Sequence, residues 1–177
     1  MRRIFLAIAL CLLCASAYAA PPPIGPFQAT VAGCHDGDSC TLVLPDHSLL
    51  SIRLHIADCP EVPNRHDPRT QAYGPEATTF THDLVYGKTV TVHIIRDKHG
   101  NPVKSYQRYV ADIDYRGDDL ALDLIRHGLA WVDPRYTTPV AAYQTYYAAE
   151  NDAHAHQSGL WRDIHPIEPW VFRHEEH

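Results

Sequence analysis

Two short stretches in the amino-terminal third of the chain combine acidic side chains with turn-forming residues. The first is Asp36-Gly37-Asp38-Ser39, and Asp58-Cys59-Pro60-Glu61 follows it by about one pair of strands. Hard cations such as calcium prefer oxygen ligands, so Asp38 and Asp58 are candidates to share one ion. Glu61 stands just beyond them, where it is placed to orient or deprotonate a water molecule.

A basic side chain accompanies the acidic ones. Arg53 lies five residues before Asp58 on the preceding predicted strand, and its planar guanidinium suits a phosphate diester. Taken singly, each of these residues has a plainer interpretation as a turn former, a cap or a surface charge. Asp36 keeps that interpretation, because Asp-Gly is a common turn dipeptide. The assembled pattern instead predicts chemistry on a phosphodiester.

The elements that position these residues follow from hydrophobic periodicity and from glycine and proline punctuation. Strands are predicted at 27–31, 40–44, 50–56, 90–95 and 109–113, and helices at 74–87, from 118 or 119 to 128, and from near 139 to before 159. The order is three strands, a helix, two strands and two helices. It predicts an α+β fold, a five-stranded OB-fold β-barrel with about three helices, whose surface commonly binds oligonucleotides.

The amino terminus predicts export. Arg2 and Arg3 precede an apolar run at 4–13, and the small-residue sequence Ala17-Tyr18-Ala19 follows. We interpret residues 1–19 as a signal peptide rather than a membrane anchor, because the run is short for a bilayer span. The predicted order is then a proline-rich segment at 20–26, one domain at 27–163 and a carboxy-terminal tail at 164–177. The mature protein is expected in the periplasm or outside the cell, without a stable membrane anchor.

Three cysteines remain in the predicted mature chain. An oxidising compartment permits a disulfide between them. Cys34 and Cys40 bracket the Asp-Gly-Asp turn, so this pair is favoured across a hairpin, with Cys59 free. Pairings through Cys59 stay open, because spacing alone does not fix connectivity.

The charge of the chain opposes a broad nucleic-acid surface. The formal net charge is −6, and loss of Arg2 and Arg3 with the signal peptide makes it −8. Proteins that hold phosphates through many ion pairs usually carry a basic surface. Any nuclease activity must therefore depend on a local site, with the 13 histidines contributing positive charge in mild acid.

Several strings occur in the order and at the spacing of one known family. They are Asp36–Ser39, Ile52–Glu61, Tyr73–Ala77, Ile125–Ala130 and Gly159–Trp161. Over residues 27–161 the chain resembles the staphylococcal nuclease (thermonuclease) family, and Asp-Cys-Pro-Glu is the most specific string.

The resemblance implies a calcium-dependent phosphodiesterase, an endonuclease that acts on DNA and RNA and leaves 3'-phosphate ends. Asp38 and Asp58 match the carboxylate ligands of calcium, and Cys59 matches a position that contributes its backbone carbonyl. Glu61 matches the proposed general base, whose role as base or water-positioner is disputed. Arg53 matches the first phosphate-binding arginine.

The second family arginine depends on the alignment. Asp97-Lys98-His99-Gly100-Asn101 superficially matches the family string but puts Asn101 at the arginine position. The string 106–113 also matches, and it continues into an apolar strand. We therefore choose Arg108, with a loop insertion between Lys98 and Lys104 and with Gln107 at a usual glycine.

Two tyrosines, Tyr106 and Tyr136, match aromatic positions that contact the nucleotide, and base stacking is a sequence-tolerant use of such rings. Two other functions remain open. One is a non-catalytic OB-fold binding module, and the other is an exported interaction protein with a lapsed site.

Overall fold

A closed β-barrel forms the centre of the molecule. The computed structural model describes residues 21–137 and 139–174, so the predicted signal peptide lies outside the described residues. The strands are β1 (Phe27–Asp36), β2 (Ser39–Val43), β3 (Leu49–Leu54), β4 (Ala57–Asp58), β5 (Thr89–Ile94), β6 (Lys104–Ser105), β7 (Arg108–Tyr115), β8 (Asp118–Asp119) and β9 (Trp131–Val132). The helices are α1 (Gly74–Val85), α2 (Leu120–Arg126), α3 (Gln144–Ala155) and the short α4 (Pro169–Phe172).

Five strands close the barrel, in the order β3-β2-β1-β5-β7. Neighbours along this order are antiparallel, and β3 and β7 pair in parallel to close it, with Ile52 opposite Tyr109 and Leu54 opposite Ala111. Alternate residues of the strands fill the interior, including Leu42, Ile52 and Ile113. The predicted α+β fold with a five-stranded OB-fold barrel is confirmed.

The helices pack on this barrel and largely follow the sequence signals. Pro75 lies in the first turn of α1, and the Asp119 side chain accepts hydrogen bonds from the first amides of α2. The third predicted helix does begin near Pro139, but its first four residues, 140–143, form a 3-10 turn. The α-helical part, α3, begins only at Gln144, because Tyr143 leaves the helical region at φ −119°.

Two strands also have bounds that differ from the prediction. The third strand stops at Leu54, short of the predicted residue 56, because Ile56 adopts a left-handed φ of 72°. The last barrel strand begins at Arg108 and is longer than predicted. Nowhere along 21–137 and 139–174 does a helix have the length and apolarity that a membrane span needs.

Candidate active site

Asp38 is positioned by the turn between β1 and β2. The Asp36 side chain accepts a hydrogen bond from the Asp38 amide at 3.1 Å, and a Cys34–Cys40 disulfide joins the two strands just outside the turn. Gly37 packs so closely that a Cβ added there would lie 2.7 Å from the Cys59 sulfur. The turn therefore fits directly against the second acidic stretch.

Asp58 is positioned by an abrupt change of chain direction. A left-handed φ is costly for a β-branched residue, and Ile56 adopts one two residues before Asp58. Two contacts maintain this strained conformation. The Asp133 amide donates to the Ile56 carbonyl at 2.5 Å, and Asp58 pairs with Trp131 in the β4–β9 ladder. Asp58 is fully buried as a result.

Glu61 is fixed through its backbone. The Glu61 amide donates to the Gln71 side chain at 3.1 Å, and the Gln71 amide donates to the Glu61 carbonyl at 2.9 Å. Gly74, the first residue of α1, lies so close to the Glu61 carbonyl that it has no room for a side chain. Burial raises the pKa of the Glu61 carboxyl, which the neighbouring Arg173 only partly offsets.

Arg53 joins the two acidic stretches. Its Nη1 lies 2.8 Å from Asp38 Oδ1 and its Nη2 lies 2.8 Å from Asp58 Oδ1, with all three side chains buried. Burial disfavours the charged guanidinium, but the surrounding carboxylates outweigh it and raise the pKa of Arg53. Within 21–137 and 139–174, Arg53 Nε is buried and has no hydrogen-bond acceptor.

Arg108 reaches the same site from the barrel. Its Nη1 lies 2.5 Å from Ser39 Oγ and 3.8 Å from Asp36 Oδ2, and the Ser39 hydroxyl in turn donates to Asp38. Asn101 instead lies in an exposed turn where its side chain and amide donate to Asp97. The structure thus brings Arg108 to the Asp38 turn, as the chosen alignment predicts.

Three further charged residues complete the cluster, and the sequence analysis missed them. Asp133 lies 3.6 Å from Arg53 Nη2 and pairs closely with Arg135, whose Nη2 also lies 3.2 Å from Asp58 Oδ2. Arg173 Nη2 lies 2.7 Å from Asp58 Oδ2, and its Nη1 lies 2.5 Å from Glu61 Oε1. Their sequence signal was weak, because isolated Asp and Arg residues in loops usually face solvent.

The pKa values of two carboxyl groups of the site shift in opposite directions. Burial, with the charge of Asp38, raises the pKa of Asp36 to about 8. Burial also acts against Asp58, but the hydrogen bonds and charges of Arg173 and Arg53 outweigh it and lower the Asp58 pKa. Asp58 therefore remains an anion and a competent oxygen ligand.

The donor chemistry fits a hard divalent cation. Asp38 and Asp58 present carboxylate oxygens, and the Cys59 amide donates to Asp38 Oδ2 at 3.0 Å, which holds this residue at the site. Burial raises the pKa of the Cys59 thiol, so only its backbone carbonyl suits such an ion. In the part of the chain that is described, no three His, Cys, Asp or Glu side chains form a metal cluster, so an ion held by Asp38 and Asp58 would need carbonyls and water to complete its shell. The Arg173 guanidinium between Asp58 and Glu61 marks this position as one that accepts positive charge.

The two predicted nucleotide-contacting tyrosines differ in their surroundings. Tyr106 is 88% exposed and sits at the β6–β7 turn with a left-handed φ of 54°. Tyr136 packs edge-on against the His55 ring at a centroid distance of 5.5 Å. Tyr106 is thus accessible for stacking, whereas Tyr136 also has a packing role.

Comparison with known proteins identifies the family. A family model described as "Staphylococcal nuclease homologue" matches residues 51–163. The chain belongs to the staphylococcal nuclease family. The match includes Arg53, Asp58, Glu61 and Arg108, and it begins after the turn that carries Asp38.

Individual relatives match a larger part of the chain than the family model does. An "Uncharacterized endonuclease" of Haemophilus influenzae is 31% identical over 80% of this chain and 70% of its own length. Another of Escherichia coli O157:H7 is 34% identical over 80% of this chain and 81% of its own length. A "Micrococcal nuclease" of Shigella flexneri is 28% identical over 86% of this chain and 83% of its own length. The family and these relatives support a nuclease, which implies a nucleic-acid substrate.

Proposed function

We propose that the protein is an exported, calcium-dependent endonuclease that hydrolyses phosphodiester bonds in DNA and RNA and leaves 3'-phosphate ends. The observation that carries the proposal is the position of Arg53, whose guanidinium lies 2.8 Å from both Asp38 and Asp58 and so joins the two acidic stretches. A non-catalytic binding module would have no need of two buried carboxylates, Glu61 and several arginines at one point.

Asp38, Asp58 and the Cys59 carbonyl would hold the calcium ion. Bound there, the ion would polarise the scissile phosphate and neutralise part of its charge. Arg53 and Arg108 would bind the non-bridging oxygens from two sides, where negative charge increases as phosphorus becomes pentacoordinate. Glu61 would orient an attacking water or take its proton, and its raised pKa brings it closer to neutral pH than a solvated glutamate.

Export is proposed from the sequence of residues 1–19. The Cys34–Cys40 disulfide is compatible with it, because such bonds persist in oxidising compartments. Periplasm and extracellular medium both satisfy this condition.

A calcium-titrated cleavage assay on single-stranded DNA and RNA tests the proposed function. Activity should require calcium and disappear with excess chelator, and the products should carry 3'-phosphates that a 3'-phosphatase removes. Glu61→Gln should lose cleavage while Glu76→Gln, an exposed control on α1, keeps it. Undiminished cleavage in chelator would reject the calcium assignment. Binding of oligonucleotide without cleavage would favour the alternative, an exported non-catalytic OB-fold nucleic-acid-binding or interaction protein.

A further inference from the structure

Residues 164–174 fold back to the acidic site, and we call this segment the C-terminal strap. Gln71 Nε2 donates to the Ile167 carbonyl at 2.5 Å, and the Trp170 ring lies 6.1 Å from the Trp131 ring, edge-on. Arg69 lies over the Phe172 ring at 4.5 Å. The sequence analysis set 164–177 apart as a tail without a functional residue. The strap is nevertheless held by three contacts beside residues 59–73, which connect β4 to α1 and which we call the Glu61 loop.

One side chain of the strap, that of Arg173, enters the site. Arg173 donates from Nη1 and Nη2 to both oxygens of Asp58, at 3.1 and 2.7 Å, and from Nη1 to Glu61 at 2.5 Å. A guanidinium that chelates one carboxylate and bridges to a second uses the lone pairs that a hard cation would use. Arg173 and a divalent ion therefore compete for the Asp58 oxygens, and Arg173 also occupies the Glu61 carboxylate that the proposed mechanism needs.

We propose that the C-terminal strap is an autoinhibitory lock, in which Arg173 occupies the Asp58 oxygens that the divalent ion would use, pairs with Glu61, and is displaced by the ion. This inference rests on the proposed calcium-dependent function. Arg173 and calcium compete for the site. The apparent affinity for calcium is therefore the intrinsic affinity multiplied by the fraction of molecules in which the strap is open.

Charge balance supports the exchange. With Asp133 paired to Arg135, the remaining charged groups of the site are four carboxylates and three guanidiniums, which are Asp36, Asp38, Asp58 and Glu61 with Arg53, Arg108 and Arg173. Counted as fully ionised, these groups carry a net charge of −1, and replacement of Arg173 by a divalent ion brings it to zero. The exchange therefore removes a negative charge that would repel a phosphodiester.

Apart from the contacts described above, little of the strap is buried. α4 has only four residues, and Pro169 is the only strap residue among those described that is fully classed as buried. Ile164 is 86% exposed, and Ile167 and Val171 are also exposed. Segments with few buried contacts open locally with much smaller free energies than the core.

Direct calcium binding tests the lock without recourse to activity. We would measure it by titration calorimetry on the mature protein and on Arg173→Gln, with Arg162→Gln as the matched control, since Arg162 is exposed and donates a hydrogen bond to the Gln157 carbonyl, away from the acidic site. If about one molecule in ten is open, Arg173→Gln should tighten calcium binding about tenfold while Arg162→Gln changes nothing. Equal or weaker binding by Arg173→Gln would overturn the lock and leave the proposed function standing. No calcium binding by any of the proteins would overturn both.

Strap opening gives a second readout on the unaltered protein. Calcium should accelerate hydrogen exchange at the amides of Val171, Phe172 and Arg173, which donate to Glu168 and Pro169 in the closed strap. Trp170→Ala removes the Trp131 contact without touching a carboxylate, and it should tighten calcium binding in the same direction as Arg173→Gln. If calcium leaves these amides protected and Trp170→Ala binds calcium like the parent, the strap is a fixed part of the site and the lock is wrong.

Discussion

At the residue scale, the two arginines of the site differ in what they stabilise. Arg53 is enclosed by buried carboxylates, whereas the Arg108 side chain is 29% exposed and touches the Asp38 turn through Ser39. Arg53 is therefore part of the folded architecture as well as the chemistry. Arg108 is expected to act mainly on charge that develops during the reaction.

Loss of Arg108 should slow the chemical step. Arg108→Ala should lower kcat by a factor on the order of a hundred, as loss of other preorganised oxyanion donors does, with a smaller change in substrate binding. Arg108→Lys should rescue only part of the rate, because a point charge does not reproduce the guanidinium fork. Single-turnover rates on saturating single-stranded DNA measure the step, and Asn101→Ala is the control. A slow Asn101→Ala beside an unimpaired Arg108→Ala would show that the alignment is wrong.

Loss of Arg53 should also destabilise the fold. Arg53→Ala leaves buried Asp38 and Asp58 without their shared counter-charge, and removal of one partner from a buried ion pair typically costs about 3–5 kcal/mol. Arg108→Ala should change the free energy of unfolding by less than about 1 kcal/mol, as for exposed pairs. Urea denaturation in the absence of calcium separates the two. Similar losses for both variants would contradict the structural role of Arg53.

At the element scale, helix α1 packs closely against the Glu61 loop at Gly74, which has no side chain to keep them apart. Gly74 has no Cβ, and an added one would clash with the Glu61 carbonyl, whereas Gly117 lies in open space. Helix propensity alone would make Gly74→Ala stabilising by roughly 0.5–1 kcal/mol, but the clash is with backbone that cannot rotate away. The clash should therefore outweigh the helix propensity, so that Gly74→Ala destabilises the protein.

Gly74→Ala should consequently lower both the melting temperature and kcat, because the Glu61 loop must move. A loss of 1 kcal/mol corresponds to about 2–4 °C for a domain of this size. Thermal denaturation and single-turnover cleavage are the measurements. Gly117→Ala, strained at a φ of 92° but remote from Glu61 in its contacts, should lose stability and keep kcat. A stabilised and fully active Gly74→Ala would refute this coupling.

The elements also explain which parts of the site the sequence predicts. Asp38, Arg53, Asp58 and Glu61 lie in local patterns of strand and turn, and the barrel brings these strand ends together without any long connection. Asp133 contacts Arg53 across 80 residues and Arg173 contacts Asp58 across 115 residues, so no local periodicity marks either of them. The kink at Ile56 could not be predicted either, because a left-handed isoleucine contradicts its own preference and is imposed by the surrounding β4–β9 pairing.

At the scale of the whole molecule, four arginines converge on one acidic site of a protein that is itself acidic. The chain has a net charge of −6, while Arg53, Arg108, Arg135 and Arg173 all converge on the acidic site. Long-range attraction of a polyanion is therefore weak, and contact with the substrate depends on a few phosphates held at short range. This arrangement differs in kind from an OB-fold with an extended basic groove.

Substrate binding should accordingly depend only weakly on salt. Each neutralised phosphate of a single strand contributes a slope of about −0.7 to log K against log salt, so two arginine contacts predict at most about a sevenfold loss between ~50 and ~200 mM salt. A basic protein with six to ten duplex contacts loses about a thousandfold or more over the same range. Screening of the overall negative charge makes the expected slope shallower still. Fluorescence anisotropy of a labelled oligodeoxythymidine with Glu61→Gln at saturating calcium measures the slope without cleavage. Arg126→Gln, an exposed control on α2, should leave it unchanged. A thousandfold loss would mean that the nucleic acid follows an extended basic surface, and the local-site account of binding would be wrong.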